Sequence, residues 1–139
     1  MTPKQKLRKE ILEIYKESED LDPPWNYGEI TEENVDSLYH ELDGNSDFIQ
    51  EIRNDLRTWG TETNISCEYS RHYDSNAVAY QLKDGNWIGW TFWYGGGKWG
   101  EPDAIPWMEH AYDLEIISEK EVVAVVREFK KKDVKPEEV

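Results

Sequence analysis

The chain has 139 residues, of which 37% are hydrophobic and 13% aromatic, and its formal net charge is −14. A chain of this length can bury enough surface for a core of its own, so we predict a single domain over 1–139 with a frayed tail over 130–139. Its one cysteine, Cys67, excludes an internal disulfide. No apolar run reaches the roughly 18 residues of a membrane span, and the acidic charge disfavours direct binding to nucleic acid or to an anionic membrane. With no signal-peptide pattern at the start, these features predict a cytoplasmic protein.

Helical periodicity predicts three helices in the first sixty residues. The first covers 3–19. The second covers 32–42, with Thr31 as its N-cap and Gly44 as its stop signal. The third begins at Ser46 and ends before the next glycine. Its apolar stripe is predicted to contain Ile49, Ile52, Leu56 and Trp59.

The period of the apolar pattern changes from 3.6 to 2 after residue 64, which predicts β-strands. The predicted strands cover 65–73, 77–82, 87–94, 112–118 and 122–129. Asp84-Gly85 is a strong hairpin signal between the second and third of them. A short inserted helix is predicted near 102–111. The fold class is therefore α+β: about three helices packed on one face of a roughly five-stranded antiparallel sheet.

The stretch 87-WIGWTFWYGGGKWGEP-102 is an unusually aromatic strand. Successive side chains of a strand point to opposite faces. The more continuously apolar face consists of Ile88, Trp90 and Phe92. We predict that it packs on the helices, which leaves Trp87 and Trp93 on the other face with a gap at Gly89. Such tryptophans indicate a partner or a ligand, unless Trp99 and the segment 98–110 fold back to cover them.

The run of glycines before Lys98 invites comparison with a phosphate-binding loop. That loop requires a glycine five residues before its Gly-Lys pair, where this chain has Phe92, and Ser or Thr after the lysine, where it has Trp99. A glycine-rich turn can still direct backbone N–H groups at an anion. The alternative is that the glycines supply positive φ angles where the strand ends.

The histidines offer little support for catalysis. His72 lies near Asp74, and His110 lies near Glu109 and Asp113, but no spacing of the HExxH type occurs. Cys67 alternates in phase with apolar residues, which is typical of a core position. We predict no catalytic residue, no metal ligand and no cofactor.

Acidic residues dominate the helical half of the chain. From Glu17 to Glu62 there are 14 acidic residues against two basic ones, Arg53 and Arg57. One interpretation is a solvated surface; the other is a negative face for a basic partner. The carboxylates predicted to bind that partner are Glu32, Glu33, Asp36, Asp43 and Asp47.

The segment 76-NAVAYQLKDGNWIGWTFWYGGGKWGEPDAIPWMEHAYDL-114 resembles a string that recurs in small uncharacterised bacterial and phage proteins. The shared features are an aromatic strand, a triple-glycine turn with lysine, a Gly-Glu-Pro step and a Trp-Met-Glu helix. Trp99 departs from that pattern, where a histidine is expected. The resemblance covers the middle third of the chain, implies a small cytoplasmic protein, and transfers no functional residue.

These patterns favour a non-enzymatic interaction protein that binds a basic protein surface. In its sharper form, the acidic helices mimic a phosphate backbone and inhibit a nucleic-acid-binding complex of the phage-defence type. A second possibility is a small-molecule or anion binder. Its predicted pocket combines the turn Gly95–Lys98 with Trp87, Trp93, Trp99 and Trp107. The third is a hydrolase or metal enzyme, which would need the histidines and carboxylates to converge.

Overall fold

A computed structural model of the chain describes residues 1–18, 24–67, 71, 73–96, 102, 105–120 and 127–132. The elements, in chain order, are α1 (Pro3–Lys16), α2 (Val35–Asn45), α3 (Asp47–Arg57), β1 (Thr61–Glu62), β2 (Asp74–Gln81), β3 (Trp87–Tyr94), a 3-10 helix (Trp107–His110) and β4 (Tyr112–Leu114). The α+β class predicted from the sequence is confirmed.

The sheet is antiparallel, and its strands follow the order β1-β2-β3-β4. The central hairpin of β2 and β3 forms at the predicted Asp84-Gly85. Gly85 has a φ of +93°, and its N–H donates to the Leu82 carbonyl at 2.9 Å. Glycine adopts this left-handed conformation without the steric cost that a Cβ would add, so the turn sequence fixes the register of the two long strands.

The helix boundaries follow local capping. Thr2 and Gln5 form a capping box at the start of α1, and the Ser46 hydroxyl accepts from the Phe48 N–H at the start of α3, as predicted for that helix. The predicted start of α2 at residue 32, with Thr31 as N-cap, is wrong: the helix begins at Val35 and its N-cap is Asn34. The Asn34 side chain accepts from the Thr31 N–H at 2.7 Å, in the turn that precedes the helix.

Three further predictions need correction. Gly44 does not stop α2, since the helix continues to Asn45. The last turn of α3 ends at Arg57, with Thr58 as C-cap, so Trp59 lies beyond the buried stripe and is 47% exposed. Of the inserted helix predicted near 102–111, Trp107–His110 is a 3-10 turn, and residues 103 and 104 lie outside the described residues.

The described part of the sheet has four strands instead of five. The predicted strand 65–73 has no strand structure in its described residues, and β1 (Thr61–Glu62) forms earlier. The strand predicted over 112–118 ends at Leu114. The last predicted strand lies outside the described residues over 122–126 and is not a strand over 127–129. The described part of the predicted tail is exposed.

One hydrophobic core joins the helices to one face of the hairpin. Its fully buried members include Leu7, Ile11, Leu12, Val35, Ile49, Leu56, Ile88 and Trp90. Ile88 and Trp90 thus face the core as predicted, with Phe92 partly buried at its margin. The indole N–H of Trp90 donates to the Arg57 carbonyl at 3.2 Å, which ties β3 to the end of α3.

Candidate interaction surface

Three of the five acidic residues predicted to bind a partner form ion pairs within the chain. The amino-terminal group lies 3.5 Å from Glu32, Arg8 donates to Asp36 at 2.6 Å, and Arg53 donates to Asp43 at 3.1 Å. The hydrogen bonds from Arg8, with a second one from Gln5, lower the pKa of the Asp36 carboxyl. Asp36 links α2 to α1, and Asp43 links α2 to α3. Because all three carboxylates already have a cationic partner, they are poor candidates for contact with another protein.

The remaining two, Glu33 and Asp47, are exposed. Asp47 begins a line of three carboxylates along α3 with Glu51 and Asp55, which we call the acidic row. The spacing of four residues places them on one side of the helix, about 6 Å apart. All three are exposed, and none takes part in an ion pair within the described ranges.

In the chain, an exposed aromatic residue lies close to each end of the acidic row. Phe48, next to Asp47, is 38% exposed, and its ring lies 5.6 Å from that of Tyr15. Trp59, four residues after Asp55, is held by a hydrogen bond from its N–H to the Leu56 carbonyl at 3.0 Å. Sequence reasoning missed Glu51, Asp55 and the exposure of both aromatics. The signal for the carboxylates was the spacing of 47, 51 and 55 on the side of the helix away from the apolar stripe.

The predicted tryptophans do not form one cluster. Trp87 and Trp93 are half-buried on the sheet face away from the core, whereas Trp107 is buried against it. Lys98 and Trp99 lie outside the described residues. The predicted gap at Gly89 is wrong, because Tyr112 and Leu114 of β4 fill it: a Cβ added to Gly89 would lie 2.5 Å from the Tyr112 ring.

A cleft of about 610 Å³ lies beside Trp93 and is called here the aromatic cleft. Its lining includes Trp93, Trp107, Tyr73 and Tyr112 and does not include Trp87. Burial, with a smaller effect of Cys67, raises the pKa of Tyr112. Cys67 is half-buried and also lines the cleft, so its predicted place in the core is wrong.

The turn after β3 agrees with the alternative in which the glycines supply positive φ angles where the strand ends. Gly95 and Gly96 have φ values of +73° and +89°, a conformation that side-chain-bearing residues rarely adopt. An Arg57 guanidinium N–H donates to the Trp93 carbonyl just before the turn, and this guanidinium also packs over the Phe92 ring at 4.6 Å. The end of β3 is therefore fixed to α3.

The candidate acid–base groups do not converge in the described part of the chain. Glu109 accepts from Lys4 and Asp113 accepts from Lys6, each at 2.6 Å, while His110 is exposed. His72 lies outside the described residues. Among those that are described, no group of three or more His, Cys, Asp or Glu side chains is placed to hold a metal ion.

Comparison with protein-family models, with curated proteins and with solved structures finds no match for this chain. The candidate surfaces therefore rest on their own geometry. No helix in the described ranges is long and apolar enough to cross a membrane.

Proposed function

We propose that this is a non-enzymatic interaction protein that binds a basic protein partner through the acidic row and its flanking aromatics. The observation that carries the proposal is the row itself: Asp47, Glu51 and Asp55 have no ion pair in the described structure, and exposed Phe48 and Trp59 lie close to its two ends in the chain. The proposed setting is the cytoplasm, which is compatible with the single cysteine.

The two kinds of residue would contribute in different ways. Uncompensated carboxylates on a chain with a net charge of −14 attract a basic surface and speed association. Tryptophan and phenylalanine bury large apolar areas on contact, and tryptophan is enriched among the residues that dominate binding energy. Charge would therefore govern the association rate, and the aromatics would govern how long the complex lasts.

Mimicry of a nucleic-acid backbone, the more specific proposal, requires a higher density of negative charge than partner binding alone. The acidic row carries three charges over about 12 Å of helix. Duplex DNA carries about seven phosphate charges over the same axial length. The row alone therefore imitates only part of a phosphate backbone, so we propose basic-partner binding first and treat competition with DNA as the additional test of mimicry.

The experiment is affinity capture from a lysate of the native host, followed by binding measurements with the purified partner. The test variant carries Asp47→Asn, Glu51→Gln and Asp55→Asn together, and a second variant carries Trp59→Ala. The matched control, Glu29→Gln with Glu115→Gln and Glu119→Gln, changes the net charge equally, from −14 to −11, at exposed sites away from the row.

We expect a basic partner that binds the wild type and the control but binds the acidic-row variant at least tenfold more weakly. Its affinity should also fall as salt rises from 50 to 500 mM, because screening weakens exposed charges. Release of the partner by excess duplex DNA would support mimicry. Equal binding by all the variants, or affinity independent of salt, would contradict the proposal.

The aromatic cleft supports a second candidate, the binding of a small molecule. Its volume of about 610 Å³ falls within the range of ligand sites, and aromatic side chains line much of it. Indole is a suitable neutral probe. Saturable shifts of the Trp93 indole resonance that disappear in Tyr112→Ala would support this candidate, whereas no saturation at millimolar indole would remove it.

A further inference from the structure

A second cleft, of about 510 Å³, opens where all three α-helices meet the segment around the 3-10 helix. One wall is apolar and is formed by residues 105–108. Lys4 and Arg8 from α1 and Arg53 from α3 also line the cleft. We call this the cationic cleft. Its volume lies within the usual range for small-molecule sites, and it is separated from the aromatic cleft by residues 105–107, which line both.

Tyr39 arranges the two arginines of this cleft. The guanidinium of Arg8 lies over the Tyr39 ring, 4.9 Å from its centroid, while Arg53 donates to the Tyr39 hydroxyl at 2.8 Å. The side chain of Tyr39 is buried. One aromatic residue therefore holds two arginines in fixed positions, and fixed donors bind an anion with less loss of conformational freedom.

The basic groups lie deeper than their acidic partners. The Arg8 side chain is 12% exposed and Asp36 is 47% exposed; the corresponding fractions are 24% for Arg53 and 35% for Asp43. Lys4 is likewise more buried than Glu109. In addition, the buried Nε of Arg8 has no hydrogen-bond partner in the described structure. Each basic side chain is thus less exposed than the carboxylate with which it pairs.

The local charge is less negative than that of the whole chain. Lys4, Arg8 and Arg53 contribute +3, and their partners Glu109, Asp36 and Asp43 contribute −3, which leaves a neutral cluster in a protein of −14. Arginine is suited to carboxylate and phosphate because its planar fork matches two oxygens at once.

We propose that the cationic cleft binds a small organic oxyanion, a carboxylate or phosphate monoester attached to an apolar group. The oxyanion would accept hydrogen bonds from N–H groups of Arg53, Lys4 and Arg8. The apolar group would pack against Ile105, Trp107 and Met108. This site is independent of the acidic row, so its test can fail without affecting the proposed partner binding, and the reverse also holds.

The experiment titrates phenyl phosphate, benzoate and the neutral benzyl alcohol separately into the full chain. Binding is followed by calorimetry and by NMR shifts of the arginine Nε–H and Trp107 indole N–H resonances. We expect at least one of the two oxyanions to bind with a dissociation constant below about 5 mM and to shift Trp107 and Arg53. Binding of only one oxyanion would assign the ligand class, and benzyl alcohol should bind at least tenfold more weakly.

The chain supplies a closely matched control for the site. Lys4 and Lys6 both extend from α1 to a carboxylate 2.6 Å away, but only Lys4 lines the cationic cleft. We expect Lys4→Gln and Arg53→Gln each to weaken oxyanion binding about tenfold, since each removes a charge-assisted contact, and Lys6→Gln to change it less than twofold. Thermal melts identify any variant that fails to fold.

Three outcomes would overturn the proposal. They are the absence of saturable binding by either oxyanion, equal binding by benzyl alcohol, and an equal loss of binding in Lys6→Gln and Lys4→Gln. The acidic-row variant should bind the oxyanions at least as well as the wild type, because it removes negative charge.

Discussion

The indole ring of Trp107 packs on that of Trp90, with the ring centroids 4.9 Å apart and the planes inclined by 48°. Trp90 is fully buried in β3, and Trp107 is 5% exposed. Trp107, which the sequence predicted in a ligand pocket, is therefore chiefly a core residue that packs the 3-10 helix on the sheet. Its side chain also lines both clefts.

Replacing Trp107 should cost much more stability than replacing the exposed Trp59. We expect Trp107→Ala to lower the free energy of unfolding by about 3–5 kcal/mol, because it leaves a large cavity against Trp90. Trp59→Ala should stay within about 0.5 kcal/mol of the wild type, as is usual for surface positions. Urea denaturation followed by circular dichroism measures both. Similar losses in the two variants would show that Trp59 is not the free surface residue described here.

Two glycine-to-alanine substitutions should change the stability of the protein in opposite directions. In Gly89→Ala the new Cβ would lie 2.5 Å from the Tyr112 ring and 2.8 Å from the Leu114 side chain, so these side chains must shift, at a cost of about 1–3 kcal/mol. In Gly44→Ala the Cβ meets nothing within 4 Å and lies in a helix, where alanine should stabilise the protein by up to about 1 kcal/mol. Thermal melts of both variants test this. A stabilising Gly89→Ala would contradict the placement of Tyr112 across β3.

Tyr80 should make the protein sensitive to alkaline pH. Its hydroxyl donates to Glu10 at 3.0 Å, and burial together with that carboxylate raises the pKa of Tyr80 to about 12. Since the unfolded value is about 10, the stabilising contribution is complete below pH 10 and is lost as the pH rises through 12. The free energy of unfolding should therefore fall less steeply above pH 10 in Tyr80→Phe than in the wild type, with the exposed Tyr27→Phe as the matched control. Identical slopes in all three proteins would refute this expectation.

Glu10 should make the stability of the protein depend on pH in the acidic range. Burial is the main cause that raises the pKa of Glu10 above 4.5, although Tyr80 and the Lys83 backbone N–H partly oppose it. A raised pKa means that the folded state binds the proton more tightly, so the contribution is present below pH 4.5 and is lost as the pH rises. We expect Glu10→Gln to gain stability relative to the wild type between pH 4.5 and 7.

The measurement is the difference in the free energy of unfolding between wild type and Glu10→Gln at each pH, by urea denaturation. Taking the difference removes the titrations that both proteins share. Glu41→Gln, at an exposed position of α2, is the control. A difference that does not change with pH would show that Glu10 titrates alike in the folded and unfolded chains.

Local signals were sufficient for the parts of the fold that local interactions hold together. The Asp84-Gly85 hairpin follows from one turn conformation, and the cap at Ser46 follows from one hydroxyl and one N–H two residues later. The apolar alternation of β3 placed Ile88 and Trp90 in the core correctly. Each of these signals acts over a few residues, so it can be read from the order of the amino acids alone.

The sites depended on contacts between distant parts of the chain. The acidic composition is present in the sequence, but only packing showed that Asp36 is paired with Arg8, 28 residues away. Likewise, Tyr112 fills the gap at Gly89 because β4 pairs with β3. Composition determined that the protein carries a strong negative charge. Tertiary structure decided which carboxylates are free on α3, and it gathered Lys4, Arg8 and Arg53 into one cleft, because ion pairing and burial depend on which elements pack together.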